Sequence, residues 1–478
     1  MRTLRGRPHR LLSHASGVSD DHADPDTDGR FLSRAACRAL ASRVFDLTAG
    51  GGRTHLEIYS RWTGNVRWAR NDISTGGDTQ DTKLYISRII RNAFGGVSTN
   101  ALTDDAIRTC LRRAESLLLL QSEHPDNYPD PPITTHPHLN PVIWFDRTVQ
   151  ADDVTRASAA DLSIGPAVAA RVVSAGYVAV SARGSAVVHS EDLFWYYPYT
   201  TAQCSITVRD TAGRGSGWAG VDWNDWSRID VPRLTATALE KCLRSRDPVA
   251  VEPGRYTAIL EPQATSELVS IIIERSLERA VAENGGGPFA DPNVPGDSRI
   301  GQRVMDPRIT IGADPMDPDC GFVPFTGNGE PYQPVNWIER GILKELAYDR
   351  TYGIRQLGRD MALPNPLAYR MSGGSSTIEE MIASTTRGLL VTRFNNVGVL
   401  DPGTLLSTGT TRDGLWLIER GQISKAVKNF RFTESPMFVL NAVEQLGVPQ
   451  RVFRPEFPAV VPPIKVRDFS FTSLVDAV

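Results

Sequence analysis

The chain has 478 residues, more than one ordinary core absorbs, so two or three domains are expected. With 41% hydrophobic and 22% charged residues it has the make-up of a globular protein rather than a disordered or fibrous one. A net charge of -3 gives no bulk attraction to nucleic acid or an anionic membrane, and no apolar run is long enough to span a bilayer.

Residues 1–30 stand apart. Arg2, Arg5, Arg7 and Arg10 precede a run of aspartates with no apolar stretch between them, which predicts a disordered tail rather than a secretory signal. The five cysteines, Cys37, Cys110, Cys204, Cys242 and Cys320, have no short spacing, as expected of reduced thiols in a cytoplasmic protein.

Helical spacing predicts a first helix over Arg34–Leu47. Residues 55–60 and 66–71 alternate apolar and polar side chains, which predicts a hairpin turning at Thr63-Gly64. A third strand over 82–90 is expected to end in a Gly95-Gly96 turn. Residues 103–121 read as a helix capped by Thr103, with Asp104 and Asp105 at its positive end. Six prolines make 125–141 a crossing loop. A helix over 154–175, bent at Gly165-Pro166, is expected next. Strands at 177–181, 186–189, 202–208 and 217–222 and a helix over 232–244 follow.

Residues 249–254 read as a hinge. Beyond it come a strand at 257–260, one long helix over 264–283, and a loop rich in Gly, Pro and Asp. Short strands then alternate with helices at 377–384, opened by a Ser376/Glu379 capping box, and at 435–446. The expectation is an α/β protein of the α+β kind, with mixed or antiparallel sheets flanked by helices. Its parts are a tail (1–30), an N-terminal α+β domain (31–248) and a C-terminal domain (249–478).

Residues 386–435 hold the densest pattern. Apolar runs at 389–391 and 415–418 flank a Ser/Thr/Gly-rich stretch, and Arg420-Gly421 makes a two-residue turn that echoes Arg340-Gly341.

Most familiar site signatures fail. Residues 215–220 fit GxGxxG, but no helix follows to present its N-terminus to a phosphate, so a Gly-rich hairpin is expected. Asp314, Asp317 and Asp319 crowd one loop without the further ligands calcium needs, which predicts a solvated turn. Trp218, Trp223 and Trp226, with Trp195, Tyr196, Tyr197 and Tyr199, predict sheet packing or a subunit interface. There is no GxSxG nucleophile elbow. All eight histidines lie at or before His189, and His136-Pro137-His138 lacks further zinc ligands nearby.

The ordered series Gly254 to Pro262, Ile338 to Leu343, Arg387 to Val391, Ser407 to Gly414, Leu417 to Ile423 and Val427 to Phe432 resembles the C-terminal region of the TldD/PmbA family, the modulator-of-DNA-gyrase proteases. A weaker likeness reaches Val66 to Asn71. The resemblance implies a two-domain fold that acts as a dimer. Active members carry HExxxH on the long helix of the C-terminal domain. The two histidines and a distant cysteine hold zinc, and the glutamate is the general base. In this chain the motif falls on Ser270-Ile271-Ile272-Ile273-Glu274-Arg275. Ser270 and Arg275 then stand at the metal positions and Ile271 at the base position. Isoleucine takes no proton, arginine offers a metal no lone pair, and no cysteine follows Cys320.

The resemblance is therefore to the metal-free PmbA/TldE-like branch. It implies a chain without a cofactor that pairs with a TldD-like zinc-bearing subunit to cleave unfolded or leader-bearing peptides, without contact to nucleic acid or membrane. Ser407, Thr408, Thr410, Thr411, Arg412 and Asp413 are expected to line a peptide channel or an interface, with free strand edges holding the peptide. Arg412 and Asp413 could equally form a structural pair in a turn. The rival readings are a hydrolase with a different site and a homodimeric peptide-binding scaffold without catalysis.

Overall fold

The computed structural model describes residues 28–90, 93–120 and 139–475. Most of the expected tail, the His136/His138 pair and most of the proline-rich stretch lie outside them. By compactness the chain divides into residues 1–61, 81–134 and 184–198 on one hand and 62–80, 135–183 and 199–478 on the other. This is not the expected cut at 248/249, because several strands of 17 to 19 residues each have residues in both units.

In the first unit, α1 (Arg34–Leu47) is capped by Ser33 and α2 (Asp104–Leu118) by Thr103, each side chain accepting a first-turn N–H. They pack Leu40, Val44, Ile107 and Leu111 against Leu56 and Ile58 of β1 (Arg53–Ala69) and Leu84 and Ile86 of β2 (Asp72–Ile90). Strand β3 (Ala93–Thr99) pairs antiparallel with β2 from Leu84↔Thr99 to Ile90↔Ala93. Two expected turns are absent. β1 runs straight through Thr63-Gly64, where a side chain on Gly64 would collide with the Arg156 guanidinium. The hairpin turns instead at Arg70 and Asn71, both left-handed (φ 55° and 62°). Gly95 and Gly96 lie inside β3, where a Cβ would strike the Ala114 carbonyl and the Tyr85 hydroxyl.

In the second unit a short α3 (Asp146–Val149) leads to α4 (Asp153–Ala169), capped by Asp152. The helix ends at the left-handed Arg171, earlier than expected, and β4 (Val172–His189) starts at once. Strands β4, β5 (Leu193–Asp210) and β6 (Ser216–Trp223) complete a six-stranded sheet ordered β3-β2-β1-β4-β5-β6. The GxGxxG stretch lies at and in β6, and a 3-10 turn at Trp226–Arg228 follows it. Helix α5 (Val231–Arg244), with Pro232 in its first turn, packs on β6.

The C-terminal part opens with β7 (Gly254–Leu260) and α6 (Pro262–Arg275). The expected long helix breaks here. The Ser276 hydroxyl donates to the Ile272 carbonyl (2.7 Å), and the next residues bridge to Ala347 in extended form before α7 (Arg279–Glu283). Then come β8 (Ile311–Ala313), β9 (Val335–Glu339), β10 (Ile342–Leu343), α8 (Arg350–Leu357), β11 (Tyr369–Met371) and α9 (Ile378–Ala383). The capping box of α9 is formed by Thr377 and Glu380, one residue on from Ser376/Glu379.

Strands β12 (Arg387–Asp401), β13 (Leu406–Glu419), β14 (Gln422–Ala426) and β15 (Phe430–Glu434) build the patterned stretch. The expected last helix is only α10 (Pro436–Val439), because β16 (Val443–Leu446) leaves it to pair with β19 (Ile464–Leu474). Between them lie β17 (Gln450–Arg451) and β18 (Ala459–Val461). A six-stranded sheet runs β10-β9-β8-β11-β18-β17. The third sheet runs β12-β7-β19-β15-β13-β14, and β12 also pairs with β13, closing a ring of five strands. Phe394, Phe430, Phe432, Phe469 and Phe471 fill its core, Phe394 stacked 5.7 Å from Phe469.

Candidate functional site

Helix α6 starts at Pro262, whose fixed φ and missing N–H suit the first helical turn. Ala264, Leu268, Val269, Ile272 and Ile273 are buried in the core. The same helix carries the three positions expected of a degenerate metal motif, and their surroundings can be tested for zinc. Ser270 is half-buried, and its hydroxyl lies 3.1 Å from the Tyr369 hydroxyl. Tyr369 donates to the Ser266 carbonyl (3.0 Å), so the Ser266 (2.9 Å) and Ser270 hydroxyls donate to the phenol oxygen. Ile271 is buried in the core and Arg275 is exposed. The thiol of Cys320 points at the carbonyls of Tyr369 (3.3 Å) and Pro458 (3.2 Å), and burial pushes it up to about 12, far from a thiolate ligand. Among the described residues, no three His, Cys, Asp or Glu side chains group closely enough to hold a metal. This donor set does not fit zinc.

One turn before Ser270 stands a residue the sequence reading passed over. Glu267 keeps part of its side chain in contact with solvent, yet its carboxyl lies deep among protein atoms. It accepts the Phe394 backbone N–H of β12 and an N–H of Gln263 (3.1 Å), whose own oxygen accepts from Phe453 N (3.0 Å). Burial raises its pKa to about 7 against the pull of these hydrogen bonds and of Arg393; the Asp413 charge adds to the rise. The available signal was a single carboxylate in the apolar face of residues 264–273.

Arg393 and Asp413 belong to the same region. Strand β13 bulges at Asp413-Gly414, both with positive φ (58° and 128°), and the β12–β13 register shifts opposite, between Val391 and Arg393. The bulge turns the Asp413 carboxylate inward. There it takes two bonds from Arg393 (2.8 and 2.7 Å) and one from the Ser216 hydroxyl (2.5 Å). The Arg393 guanidinium lies 4.7 Å from the centre of the Trp218 ring. Arg412 Nε is 3.9 Å from the same carboxylate, so Asp413 is a structural partner chiefly of Arg393, in a strand and not a turn. A cavity of about 350 Å³ adjoins it, lined among others by Gly215, Ser216, Asp413, Gly414, Lys428 and Asn429.

The six expected channel residues sit on β13 but do not share one surface. Ser407, Thr411 and Asp413 are buried, whereas Thr408, Thr410 and Arg412 are half-buried. Nor is there a free edge for a peptide: residues 407–410 pair with β12 on one side and β15 on the other. Thr408 and Thr411 spend their hydroxyls on the Phe432 carbonyl (2.8 Å) and on Asn429 (2.9 Å).

The other expected sites resolve as structure. Asp317 accepts a fork from Arg370, and Asp319 is 3.0 Å from Arg228, so these carboxylates are paired rather than merely solvated. Trp218 packs edge-on against Phe453, and Trp223 lies beneath Arg228 and Arg451. Among the described residues no helix is long and apolar enough to cross a membrane.

Residues 253–473 match the family model of the PmbA/TldA metallopeptidase C-terminal domain. No curated protein matches the chain in sequence. Solved structures share the fold, among them the following three. A candidate modulator of DNA gyrase from Thermotoga maritima superposes with a TM-score of 0.78 at 15% identity, over 91% of this chain and 100% of that one. One from Bacteroides thetaiotaomicron gives 0.77 at 17%, over 91% and 99%. TldE from Thermococcus kodakarensis gives 0.77 at 16%, over 91% and 100%.

Proposed function

We propose that this chain, whose residues 253–473 match the PmbA/TldA C-terminal domain, is a member of the TldD/PmbA family and a metal-free, TldE-like subunit that supports proteolysis by a zinc-bearing, TldD-like relative. The observation that carries this reading is the chemistry of α6. At the three motif positions stand a serine bonded to Tyr369, an isoleucine in the core and an exposed arginine. None of them supplies a metal ligand set or a general base for a metal-bound water. The chain's own contribution is then to complete and shape the site of its partner. The half-buried Thr408, Thr410 and Arg412 of β13 are the members of the expected set still accessible for such a surface. The substrates proposed are unfolded or leader-bearing peptides, and five buried cysteines, none in a disulfide, favour a reducing, cytoplasmic setting.

The test is purification of the full chain alone and together with a zinc-bearing relative from the same genome. Alone, it is expected to carry zinc far below one ion per chain and to leave unfolded peptides intact; with the relative it should co-purify and raise peptide cleavage. Stoichiometric zinc with peptidase activity in the chain alone would favour a self-sufficient hydrolase. Recovery of the chain without any relative and without activity would favour a scaffold.

A further inference from the structure

The cavity beside the β13 bulge, about 350 Å³, is large enough for a small molecule, and its lining passes from buried acceptors to exposed cations. Ser216, Ser245 and Asp413 are buried in its wall. The Ser245 hydroxyl accepts the Ser216 N–H (3.0 Å) and donates to the Ser216 carbonyl (2.8 Å). The Ser216 hydroxyl gives its proton to Asp413 Oδ1 (2.5 Å). Both Arg393 bonds end on Oδ2 (2.8 and 2.7 Å), so Oδ1 keeps an acceptor site, as does Ser216 Oγ. None of these three side chains has a proton left to offer. Arg214 and Lys428 line the same cavity and are exposed. Arg214 uses Nε on Asp210 (3.2 Å) and one terminal nitrogen on Asp247 (3.4 Å), which leaves its other terminal nitrogen to a ligand. Leu415 and Val427, both buried, supply apolar wall.

We propose that this cavity binds a free α-amino acid with an apolar side chain, its ammonium turned to Asp413 and Ser216 and its carboxylate to Arg214 and Lys428. An ammonium carries three protons and no acceptor, which suits a wall that accepts and does not donate. A carboxylate brought to that wall would find no donor there and would face Asp413, so the two ends of the ligand are not interchangeable. At the exposed side the same carboxylate meets two cations, one of them a guanidinium with donors to spare. The apolar side chain has Leu415 and Val427 to pack on. Arg393 offsets part of the Asp413 charge, so the affinity expected is modest, on the order of 1 mM. The site stands apart from the subunit role proposed above, and the chain alone suffices to test it.

The experiment is a ligand-observed NMR titration of the full chain with leucine, N-acetyl-leucine, leucinamide and dileucine. Leucine is expected to bind. N-acetyl-leucine lacks the ammonium and leucinamide the carboxylate, and each should bind about tenfold more weakly. Dileucine, which moves the carboxylate away from the ammonium, should also bind more weakly than leucine. Lys428→Ala removes one cation at an exposed position and should weaken leucine several-fold at low salt, with a smaller effect at high salt. Asp413→Asn keeps an oxygen for the Ser216 hydroxyl, and asparagine tolerates the left-handed backbone there (φ 58°). It should weaken leucine by about tenfold, with a thermal melt to check its fold. The proposal is overturned by leucine that shows no saturable binding, or by N-acetyl-leucine or leucinamide that binds as tightly as leucine. Tighter binding of dileucine would overturn it in favour of a peptide N-terminus, and a Lys428→Ala chain that binds leucine as wild type does at low salt would overturn it as well.

Discussion

Glu267 is the one carboxylate on the core-facing side of α6, and its protonation is coupled to folding. Its pKa is about 7 in the folded chain against an ordinary value of 4.5, so the fold binds its proton more tightly than the unfolded chain does. The stability this gives is complete below pH 4.5 and is lost as pH rises through 7. The loss is at most about 3 kcal/mol, reduced because the side chain partly meets solvent. Glu267→Gln keeps an acceptor for Phe394 N–H and removes the titration, so urea denaturation at about pH 5 and about pH 8 should show a smaller difference for the variant than for wild type. His189 works in the opposite sense. Its Nδ1 accepts the Glu191 N–H while Nε2 is buried without a partner, and desolvation, with the charges of His55 and Arg53, lowers its pKa to about 4. Its contribution is complete above pH 6.5 and is lost as pH falls through 4, to a maximum of about 3 kcal/mol. His189→Phe should flatten the acid limb of the stability curve between those values; an unchanged limb would remove His189 from the account. The sequence displayed both residues without marking either. The Phe394 amide that meets Glu267 lies 127 residues away, and the Arg370 that pairs Asp317 lies 53 away.

Secondary structure was legible where local chemistry decides it. The caps Ser33 and Thr103 and the spacing of Leu40, Val44, Ile107 and Leu111 place α1 and α2 without tertiary information. The Arg420-Gly421 and Arg340-Gly341 turns are also real, each with both residues at positive φ. Glycine misled elsewhere, because Gly64, Gly95 and Gly96 serve close packing inside strands and mark no turn. The same distinction yields an element-scale prediction. Gly414 sits in the β13 bulge at φ 128°, and a Cβ there would strike the Trp416 ring and Thr392 Oγ1. Gly414→Ala should cost about 3 kcal/mol by combining a strained backbone with overpacking. Gly165, inside α4, has open space within 4 Å of where an added methyl would stand, and no positive φ. Gly165→Ala should move stability by less than about 1 kcal/mol, because the helix propensity gained is opposed by the crowding that Pro166 imposes on a Cβ before it. Chemical denaturation of the two variants side by side checks the difference, and equal effects would sink the packing argument.

At the scale of the whole molecule, a zinc site has to be assembled from separated elements, and that limits what any local change can restore. Structural and catalytic zinc sites take at least three protein ligands, and one helix can present two of them on a face. Placing the motif by substitution, Ser270→His with Ile271→Glu and Arg275→His, therefore tests the third element as much as the helix. The first change breaks the hydroxyl bond to Tyr369, and the second puts a carboxylate into a buried apolar position. The third places an imidazole at an exposed end of α6. No cysteine or histidine follows Cys320 in the chain, and the Cys320 thiol is held by two carbonyls with its pKa pushed up to about 12. The ring of β7, β12, β13, β15 and β19 consequently offers no Cys or His donor to complete the set among its described residues. The triple variant should bind zinc well below one ion per chain, measured by elemental analysis after dialysis, and should gain no peptide cleavage. Its melting temperature should fall, chiefly through Ile271→Glu, which Ile271→Glu alone would reproduce. One tightly held zinc per triple-variant chain would mean that a carboxylate or another oxygen completes the set in place of Cys or His, and the metal-free assignment would then rest on three substitutions in α6 alone.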